Sequence, residues 1–297
     1  MARVRPLVWA HRGASKACPE NTLAAFRAGL EAGADGVELD VHPSLDGHVI
    51  VIHDAKLDRT TDGTGLVCQA TLDEIRRLDA GSKHSPAFRG EKVPMLSEVL
   101  DLAMQWPGGS KKVLIELKGG FSGVPNWVQA ALRRAGVMKK QEPSYPNLAR
   151  LVAEALQPYQ RQVGEGLIVA QSFYQPYLHE LRDLVPSLEV MYLSLASRSG
   201  LLEKEDLQHV GLGFSGVAVR HSSLSALGTE RLRLAQGRVF AWTVDATNDL
   251  EAAMEVGVDG IITNHPDKAV ALLAGSSTHP NKRRRLCCGR ARHVSRA

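Results

Sequence analysis

Short apolar, β-branched runs alternate with helix-like stretches along almost the whole chain. Eight of these runs suit buried strands, and they lie at 7–10, 36–41, 112–117, 167–173, 188–193, 216–219, 238–244 and 260–263. Apolar residues at helical spacing occupy most of the intervals between them. Parallel strands need a crossover long enough for a helix, and nearly every interval provides one. The sequence therefore predicts an α/β fold, a (β/α)8 barrel, whose active site lies at the C-terminal ends of the strands.

The first helix is predicted over residues 21–32. Asn21 is the expected N-cap, because its side chain can accept a hydrogen bond from a free N–H group of the first turn. Gly33 is the expected end of the helix, because glycine readily adopts the left-handed conformation that follows many helices.

A ninth apolar run, at 48–54, follows the strand at 36–41 after only six residues, which is too few for a crossover helix. This run is therefore predicted to return antiparallel, as a hairpin. A turn centred on Asp46 and Gly47 would set His53 opposite Asp40. The hairpin thus predicts a histidine beside an acidic strand end.

The barrel is predicted to span residues 1–275, with two stretches that do not fit the repeating pattern. Residues 55–97 are rich in turn residues around one short helix pattern, and we expect them to cap the mouth of the barrel. A second excursion, at 119–146, contains one helix-like piece at 127–134. Residues 276–297 are basic, lack apolar periodicity and are predicted to form a disordered tail.

The composition, with 44% hydrophobic and 23% charged residues, is that of an ordinary globular protein. No apolar run reaches the roughly 18 residues of a membrane helix, and the N-terminus shows no signal-peptide pattern. The cysteines (Cys18, Cys68, Cys287 and Cys288) lack metal-binding spacing, which favours a reducing compartment. We therefore expect a soluble, cytoplasmic protein without a transmembrane segment.

The net charge of +4 is misleading, since seven of the 36 basic residues lie in the tail at 276–297, which has no acidic residue. The rest of the chain carries 29 basic and 32 acidic residues, which gives no sign of nucleic-acid binding. The tail is typical of solvated disorder, or alternatively of a patch that contacts a membrane surface through its basic cluster and the adjacent Cys287 and Cys288. No feature of the sequence predicts an oligomeric state.

Glu38 and Asp40 stand two residues apart on a predicted strand, so both side chains leave the same face. Two unpaired carboxylates at the mouth of a barrel would repel, and one would take up a proton unless a cation joined them. Glu116, at the end of a later strand, offers a third ligand, with Lys118 on the same face. Three carboxylates favour one hard divalent cation, Mg²⁺ or Ca²⁺ with Mn²⁺ as a further candidate, over Zn²⁺. The alternative is a buried ion-pair network in which Glu38 pairs with Lys118 or Arg12.

His11 ends the first strand and His53 ends the hairpin strand, so two imidazoles can flank whatever the carboxylates bind. Histidine titrates near neutrality, which suits a general acid and a general base. Arg12 presents a rigid fork of donors that matches phosphate oxygens, and Lys118 adds a second positive charge. This combination predicts a reaction at an anionic centre, and phosphoryl transfer is the class that it favours.

Two aromatic residues, Phe173 and Trp242, lie near the ends of their predicted strands. Either ring can pack against an organic leaving group or fill the barrel, and core filling is the commoner fate of an aromatic side chain. The chain has neither a G-x-G-x-x-G nor a G-x-x-x-x-G-K phosphate loop, so a nucleotide-binding loop is not predicted.

The candidate site residues lie in motifs that read, in order, HRGASKACPENTLAAF, VELDV, DGHVIVIHD, LDRTTDGTG, IELK, QSF, AWTVD and GVDGIITNHP. Together these motifs resemble the glycerophosphodiester phosphodiesterase family over residues 7–273. The resemblance implies a distorted TIM barrel with a small inserted domain after the HD motif. It also implies a metal-dependent hydrolase that releases an alcohol from a small-molecule glycerophosphodiester and leaves sn-glycerol 3-phosphate.

The resemblance implies a role for each candidate side chain. The catalytic acid and base would be His11 and His53. The metal ligands would be Glu38, Asp40 and Glu116. The substrate contacts would be Arg12, Lys118, Phe173 and Trp242, with Arg12 and Lys118 on the phosphate and the two rings lining the pocket.

Two features depart from the family pattern. The family usually has an aspartate where this chain has Asn264, in the segment TNHP at 263–266; because this position closes the last strand, we expect little effect on the chemistry. The excursion at 119–146 is longer than usual and follows Lys118 directly, so it could overhang the mouth and limit which substrates enter.

Three other functions compete with the main interpretation. A lysophospholipase D would use the same chemistry but would need an apolar groove, which Phe121, Val124, Trp127 and Val128 could supply. A sphingomyelinase D is disfavoured because that secreted class would bring a signal peptide and a disulfide pair. An inactive barrel that only binds phosphate-bearing ligands is disfavoured because no expected side chain is missing. The nucleophile, either water or the glycerol 2-hydroxyl through a cyclic phosphate, and the choice of acid and base between the two histidines stay open.

Overall fold

The computed structural model describes residues 5–119, 143–194 and 213–276. The strands are β1 (Leu7–His11), β2 (Gly36–Pro43), β3 (Val49–Val51), β4 (Lys112–Leu117), β5 (Ile168–Ser172), β6 (Glu189–Ser194), β7 (Gly216–Arg220), β8 (Arg238–Trp242) and β9 (Gly260–Thr263). All except β3 run parallel in one sheet, and the sheet closes because β1 pairs with β2 on one side and with β9 on the other. The predicted (β/α)8 barrel is confirmed.

The helices are α1 (Leu23–Glu31), α2 (Leu72–Arg77), α3 (Leu96–Met104), α4 (Leu148–Ala155), α5 (Gln160–Gly164), α6 (Gln175–Leu184), α7 (Ala226–Leu234), α8 (Thr247–Val256) and α9 (Pro266–Ser276). Their apolar sides share one buried cluster with the outward-facing strand residues, as Phe26 of α1 and Leu100 of α3 do with Val37 of β2. This shell covers the outside of the barrel and leaves the strand ends free for a site. Within the described ranges, no helix has both the length and the apolar character needed to cross a membrane.

Apolar side chains fill the interior of the barrel. The buried members of this inner cluster are Trp9, Leu114, Val169, Met191, Leu193, Ala218, Phe240 and Ile262. The rings of Trp9 and Phe240 lie with their centroids 5.6 Å apart, and neither residue is exposed. Because a close-packed core resists sliding of its strands, this cluster keeps the strand ends in register.

The predicted hairpin of β2 and β3 forms, but in a different register. The N–H of Ile52, rather than that of His53, lies opposite Asp40 and donates to its carbonyl at 3.0 Å. The prediction that His53 faces Asp40 is therefore wrong by one residue. The cause is a three-residue loop over 45–47 in which Gly47 adopts a φ of 84°, whereas a two-residue turn was expected.

The N-cap of the first helix lies one residue later than predicted. Thr22, not Asn21, is its N-cap, since the Thr22 hydroxyl accepts a hydrogen bond from the first turn at 3.3 Å. Asn21 has a φ of 57°, and its side-chain Nδ2 donates instead to Asp40 at 2.9 Å. The predicted cap is therefore a residue of the site. Gly33 follows the helix with a φ of 91°, as its proposed role as a stop requires.

The segment between β3 and α3 packs around its own small apolar cluster. Leu57, Val67, Ile75 and Val93 are buried in it. The helix α2 of this segment starts with a capping box, in which the Thr71 and Glu74 side chains bond each other's backbone N–H groups. The helix predicted at 127–134, the apolar set at 121–128 and the basic tail beyond Ser276 lie outside the described residues.

Candidate active site

The register of neighbouring strands brings the predicted site residues to one end of the barrel. His11 of β1 lies beside Glu38 of β2. Asp40 of β2 lies beside Glu116 of β4, which in turn lies beside Gln171 of β5. Parallel pairing of strand ends thus assembles one group of polar side chains from distant parts of the sequence.

The three predicted metal ligands meet at this end. Carboxylate oxygens of Glu38, Asp40 and Glu116 lie within 4.8 Å of one another, and all three residues are buried. Burial, together with the charges of Asp40 and Glu116, raises the pKa of Glu38 well above its usual value. Burial also acts to raise the pKa of Asp40, but the charges of Lys118 and Arg12 outweigh it and hold that pKa well below the usual range. The carboxylates therefore outnumber the cationic side chains that stabilise them.

Lys118 and Arg12 form the ion pairs of this cluster. Lys118 Nζ lies 2.7 Å from Glu116 Oε1 and 3.3 Å from Asp40 Oδ1. Arg12 Nε lies 3.2 Å from Asp40 Oδ2, and its Nη1 lies 3.1 Å from Glu20 Oε1. The ion-pair network offered as the alternative to a metal is therefore present, but it is built on Asp40 and Glu116 rather than on Glu38.

The cluster nevertheless fits a divalent cation. Apart from its ion pair with Lys118 at 3.3 Å, the buried Asp40 Oδ1 accepts no hydrogen bond from the described residues. Glu38 has the raised pKa of a carboxyl group that lacks sufficient positive charge nearby. Hard cations prefer oxygen ligands, and one more positive charge would relieve the repulsion among the three carboxylates. Glu38, Asp40 and Glu116 thus form a candidate metal site.

The two predicted catalytic imidazoles each have a fixed partner on Nδ1. His11 Nδ1 lies 2.7 Å from Asn264 Oδ1, and His53 Nδ1 lies 2.7 Å from Asp54 Oδ1. The Nε2 atom of His11 lies 3.9 Å from Glu38 Oε2. Because Nδ1 is hydrogen-bonded in both rings, Nε2 is the nitrogen of each ring that can exchange a proton with a bound ligand.

Both histidines are held neutral by their surroundings. Burial, reinforced by the charge of Arg12, lowers the pKa of His11 to about 4. Burial, reinforced by the charge of Lys118, lowers the pKa of His53 to about 3. An anionic ligand that neutralises Arg12 and Lys118 would raise both values, so the charge on the rings is linked to what the site binds.

Arg12 adopts a conformation that is unusual for a residue with a side chain. Its φ of 55° lies in the left-handed region, where a residue other than glycine costs about 1–3 kcal/mol. Two hydrogen bonds hold it there: the Arg12 N–H donates to the Glu38 carbonyl at 2.8 Å, and the Arg12 carbonyl accepts from the Asn21 N–H at 3.0 Å. The turn after β1 thereby directs the guanidinium toward Asp40.

Arg59 connects the inserted segment to the partners of both His53 and Arg12. It donates to Asp54 Oδ2 at 2.8 Å and to the two carboxylate oxygens of Glu20 at 2.7 and 2.8 Å. Burial acts to raise the pKa of Glu20, but the hydrogen bond from Arg59 and the charges of Arg12 and Arg59 outweigh it and lower that pKa to about 2. The inserted segment therefore stabilises the site from the side.

A cavity of about 110 Å³ opens at the centre of these groups. His11, Arg12, His53 and Lys118 line its polar side, and Phe173 and Trp242 line its apolar side. The two rings meet edge to face with centroids 5.7 Å apart. The guanidinium carbon of Arg220 lies 5.2 Å from the centre of the Trp242 ring. Both aromatic residues are thus part of the cavity wall.

Sequence reasoning missed four residues of the site, which are Asn21, Arg59, Gln171 and Asn264. Gln171 Nε2 donates to Glu38 Oε1 at 3.2 Å from a buried position on the floor of the site. Each of the four lies in one of the motifs PENT, LDRTT, QSF and TNHP. The motifs could have pointed to these four residues, but the residue types within each motif did not indicate which side chain lies at the cavity.

Comparison with known proteins decides the family. The model of the glycerophosphoryl diester phosphodiesterase family matches residues 11–268. The chain belongs to this family. A glycerophosphodiester phosphodiesterase of Caldanaerobacter subterraneus is 35% identical over 274 residues, which cover 91% of this chain and 98% of that protein. The predicted enzyme class, a phosphoric diester hydrolase, is confirmed.

Two solved structures of this family share the fold. A phosphodiesterase of Oleispira antarctica, solved in complex with the product sn-glycerol-3-phosphate, is 26% identical with a TM-score of 0.72 over 91% of this chain and 97% of that chain. A glycerophosphodiester phosphodiesterase of Agrobacterium tumefaciens is 28% identical with a TM-score of 0.68 over 90% of this chain and 99% of that chain. In both cases the likeness covers at least 90% of this chain.

Proposed function

We propose that this chain hydrolyses glycerophosphodiesters to an alcohol and sn-glycerol 3-phosphate, with the help of one divalent cation. The observation that carries the proposal is a cavity of about 110 Å³ that is lined by two imidazoles, a guanidinium and the carboxylates of Glu38 and Glu116, with Asp40 completing the carboxylate cluster. Hydrolysis of a phosphodiester requires charge neutralisation and two proton transfers, and this set of groups can supply both. The product bound by the Oleispira antarctica phosphodiesterase supports the choice of substrate.

Glu38, Asp40 and Glu116 would hold the cation. Their oxygen ligands favour Mg²⁺ or Ca²⁺, with Mn²⁺ as a third candidate. When bound, the cation supplies positive charge that neutralises the phosphodiester.

Arg12 and Lys118 would contact the phosphate oxygens. Both line the cavity, and both are paired with carboxylates of the cluster. A substrate phosphate would share these positive groups with Asp40 and Glu116, so the fork of Arg12 would orient the phosphate as well as attract it.

His11 and His53 would move the protons. In the reaction, the oxygen of the nucleophile bonds to phosphorus while the bond between phosphorus and the alcohol oxygen breaks. One histidine, neutral and with a free lone pair at Nε2, takes the proton of the nucleophile. The other would carry a proton on both nitrogens once the bound phosphate has raised its pKa, and it gives the Nε2 proton to the departing alcohol oxygen. In both rings Nε2 would be the reacting atom, since Nδ1 is bonded to Asn264 or Asp54. A search for a cyclic phosphate during turnover distinguishes attack by the glycerol 2-hydroxyl from attack by water.

Phe173 and Trp242 would pack against the organic part of the substrate. They line the same cavity as the charged groups and contact each other edge to face. An edge-to-face pair of rings offers a rigid surface to a small organic group.

The test is release of glycerol 3-phosphate from glycerophosphocholine and glycerophosphoethanolamine, measured in EDTA and then with added Mg²⁺, Ca²⁺ or Mn²⁺. We expect release that EDTA abolishes and that one or more of these cations restores. If EDTA does not change the rate of release, the proposed cation requirement is wrong. If no glycerol 3-phosphate is released with any of the cations, the proposed activity is wrong.

A matched pair of variants localises the cation requirement. Glu38→Gln removes one charge of the candidate metal site and should raise the cation concentration needed for half-maximal rate. Glu165→Gln removes an exposed carboxylate that pairs with Arg161, far from the cavity lining, and should leave that concentration unchanged. If the two variants needed the same cation concentration for half-maximal rate, the assignment of Glu38 as a metal ligand would be wrong.

A lysophospholipid in the same assay tests the lysophospholipase D interpretation. The apolar residues that would favour it, at 121–128, lie outside the described residues, so this assay decides between the two substrate classes. The absence of a nucleic-acid partner, the location in the cytoplasm and the character of the basic tail stay predictions from the sequence.

A further inference from the structure

Asn264 lies directly after β9, behind one of the proposed catalytic imidazoles. Its Oδ1 lies 2.7 Å from His11 Nδ1 and also accepts a hydrogen bond from the Ser15 hydroxyl at 2.7 Å. The sequence led us to expect little effect on the chemistry at this position. That expectation did not foresee a contact with His11.

Asp245 determines which way the Asn264 amide points. Its Oδ2 accepts from Asn264 Nδ2 at 2.6 Å, and its Oδ1 accepts from the Asn264 backbone N–H at 2.9 Å and from the Thr263 hydroxyl at 3.1 Å. A carboxylate offers only acceptors, so it selects the NH₂ end of the amide. A reversed amide would set its oxygen against the carboxylate. The oxygen of Asn264 must therefore face His11.

The direction of the amide fixes the tautomer of the imidazole. An amide oxygen only accepts, so His11 Nδ1 must be the donor. A neutral imidazole carries one N–H, and Nε2 is then left with a free lone pair. Nε2 is also the ring nitrogen on the side of the carboxylates, 3.9 Å from Glu38 Oε2. A neutral His11 therefore presents a proton acceptor to the site.

His53 shows that this arrangement is particular to His11. The Nδ1 partner of His53 is the carboxylate of Asp54, which is itself held by Arg59. Asn264 provides the same directional bond without a negative charge. The two imidazoles thus have the same geometry at Nδ1 but different electrostatic support.

We propose that Asn264, oriented by Asp245, is a positioning residue that holds His11 in its Nδ1–H tautomer and directs Nε2 into the cavity. The use made of Nε2 rests on the proposed function. The tautomer is a property of the free protein and can be measured whether or not the protein turns over any substrate.

The test is multiple-bond ¹H–¹⁵N NMR on protein labelled at histidine, with the His11 signals assigned from their loss in His11→Gln. In the unaltered protein we expect a protonated Nδ1 and an unprotonated Nε2. Asn264→Ala should shift His11 toward the Nε2–H tautomer. Asn264→Asp keeps an acceptor oxygen toward His11 and should retain Nδ1–H, with a proton taken up between its second oxygen and Asp245 Oδ2. Ser15→Ala is the matched control, because it removes the other donor to the same oxygen and should leave the tautomer unchanged.

Kinetics give a second measurement. Loss of the hydrogen-bond partner of a metal-ligating histidine typically costs about 10–100-fold in metal affinity or activity. By analogy, we expect Asn264→Ala to lower kcat by a similar factor with KM little changed. Asp245→Ala, which frees the amide to rotate, should move the tautomer in the same direction as Asn264→Ala. An Nε2–H tautomer in the unaltered protein would overturn the proposal without any variant, and so would an unchanged tautomer in folded Asn264→Ala.

Discussion

Replacing Lys118 with methionine removes the positive charge at the centre of the carboxylate cluster while keeping a side chain of similar length. The ammonium lies 2.7 Å from Glu116 Oε1 and 3.3 Å from Asp40 Oδ1, and the side chain is only 6% exposed. Burial alone would lower the pKa of Lys118, but Glu116 and Asp40 raise it above its usual value. The lysine is therefore charged in the folded protein, and both carboxylates depend on it.

The size of the effect follows from this burial. Removing one partner of a buried ion pair costs about 3–5 kcal/mol, because the other partner is left uncompensated. Without Lys118, the charges of Asp40 and Glu116 would be balanced only by Arg12, which also pairs with Glu20. We therefore expect the free energy of unfolding of Lys118→Met in EDTA to fall by about 3–5 kcal/mol.

A divalent cation should offset part of this loss. Binding to the folded state at 100 times its Kd adds about 2.7 kcal/mol to the free energy of unfolding. The cation meets more uncompensated negative charge in the variant than in the unaltered protein. The stabilisation by Mg²⁺ or Ca²⁺ should therefore be larger in Lys118→Met.

Urea unfolding followed by tryptophan fluorescence, in EDTA and with each cation, measures both effects. Lys56→Met, a change at an exposed lysine, is the control and should stay within about 0.5 kcal/mol of the unaltered protein. A loss below about 1 kcal/mol for Lys118→Met in EDTA would refute the reasoning, since it would place the ammonium outside the cluster. Equal stabilisation of the two proteins by the cation would refute the argument from charge.

Two further predictions concern stability. The pKa of Glu20 is about 2 in the folded protein, which is below its unfolded value of about 4.3. The Glu20 carboxylate therefore stabilises the fold fully above about pH 4.3, and this contribution is lost as the pH falls toward 2. Glu20→Gln should therefore lower the free energy of unfolding at pH 7 by more than at pH 3, as urea unfolding at the two pH values will show; a difference that does not change with pH would contradict the role of Arg59 and Arg12. Phe240→Ala should lower the free energy of unfolding by about 3–5 kcal/mol, because the ring is fully buried against Trp9 in the inner cluster. Thermal unfolding measures this loss, and a change below about 1 kcal/mol would mean that the barrel interior collapses around the missing ring.

The sequence was sufficient to predict the barrel because its strands and helices alternate with different periods. Each strand run is apolar and β-branched, and each helix has one apolar face, so local pattern and global fold agree. The position of a helix cap, by contrast, depends on single side-chain contacts that the repeating pattern does not show. Asn21 and Thr22 are both of residue types that favour an N-cap, with Asn ranked above Thr. In the fold the Asn21 side chain donates to Asp40, and Thr22 is the cap.

The candidate site was predictable where a residue's position on its strand determines its direction. Glu38 and Asp40 lie two residues apart on β2, and Asp40 pairs with Glu116 of β4, so register alone brings the three together. The hairpin register was not predictable, because it depended on whether the loop had two residues or three around Gly47.

Contacts between distant loops could not be predicted from the sequence. Nothing in the segment TNHP indicates that Asn264 reaches back to His11 across the closure of the barrel. The place of Lys118 between two carboxylates, rather than on a phosphate alone, likewise depends on distances that only the assembled fold fixes.

The most direct test of the proposed site is the rate of glycerol 3-phosphate release by His11→Ala and His53→Ala, each compared with the unaltered protein at saturating cation. Loss of a general acid or base typically costs about 10²–10⁴-fold, so we expect each variant to be slower by at least about 100-fold with an unchanged circular dichroism spectrum. A near-normal rate in either folded variant would show that the corresponding imidazole moves no proton in the reaction.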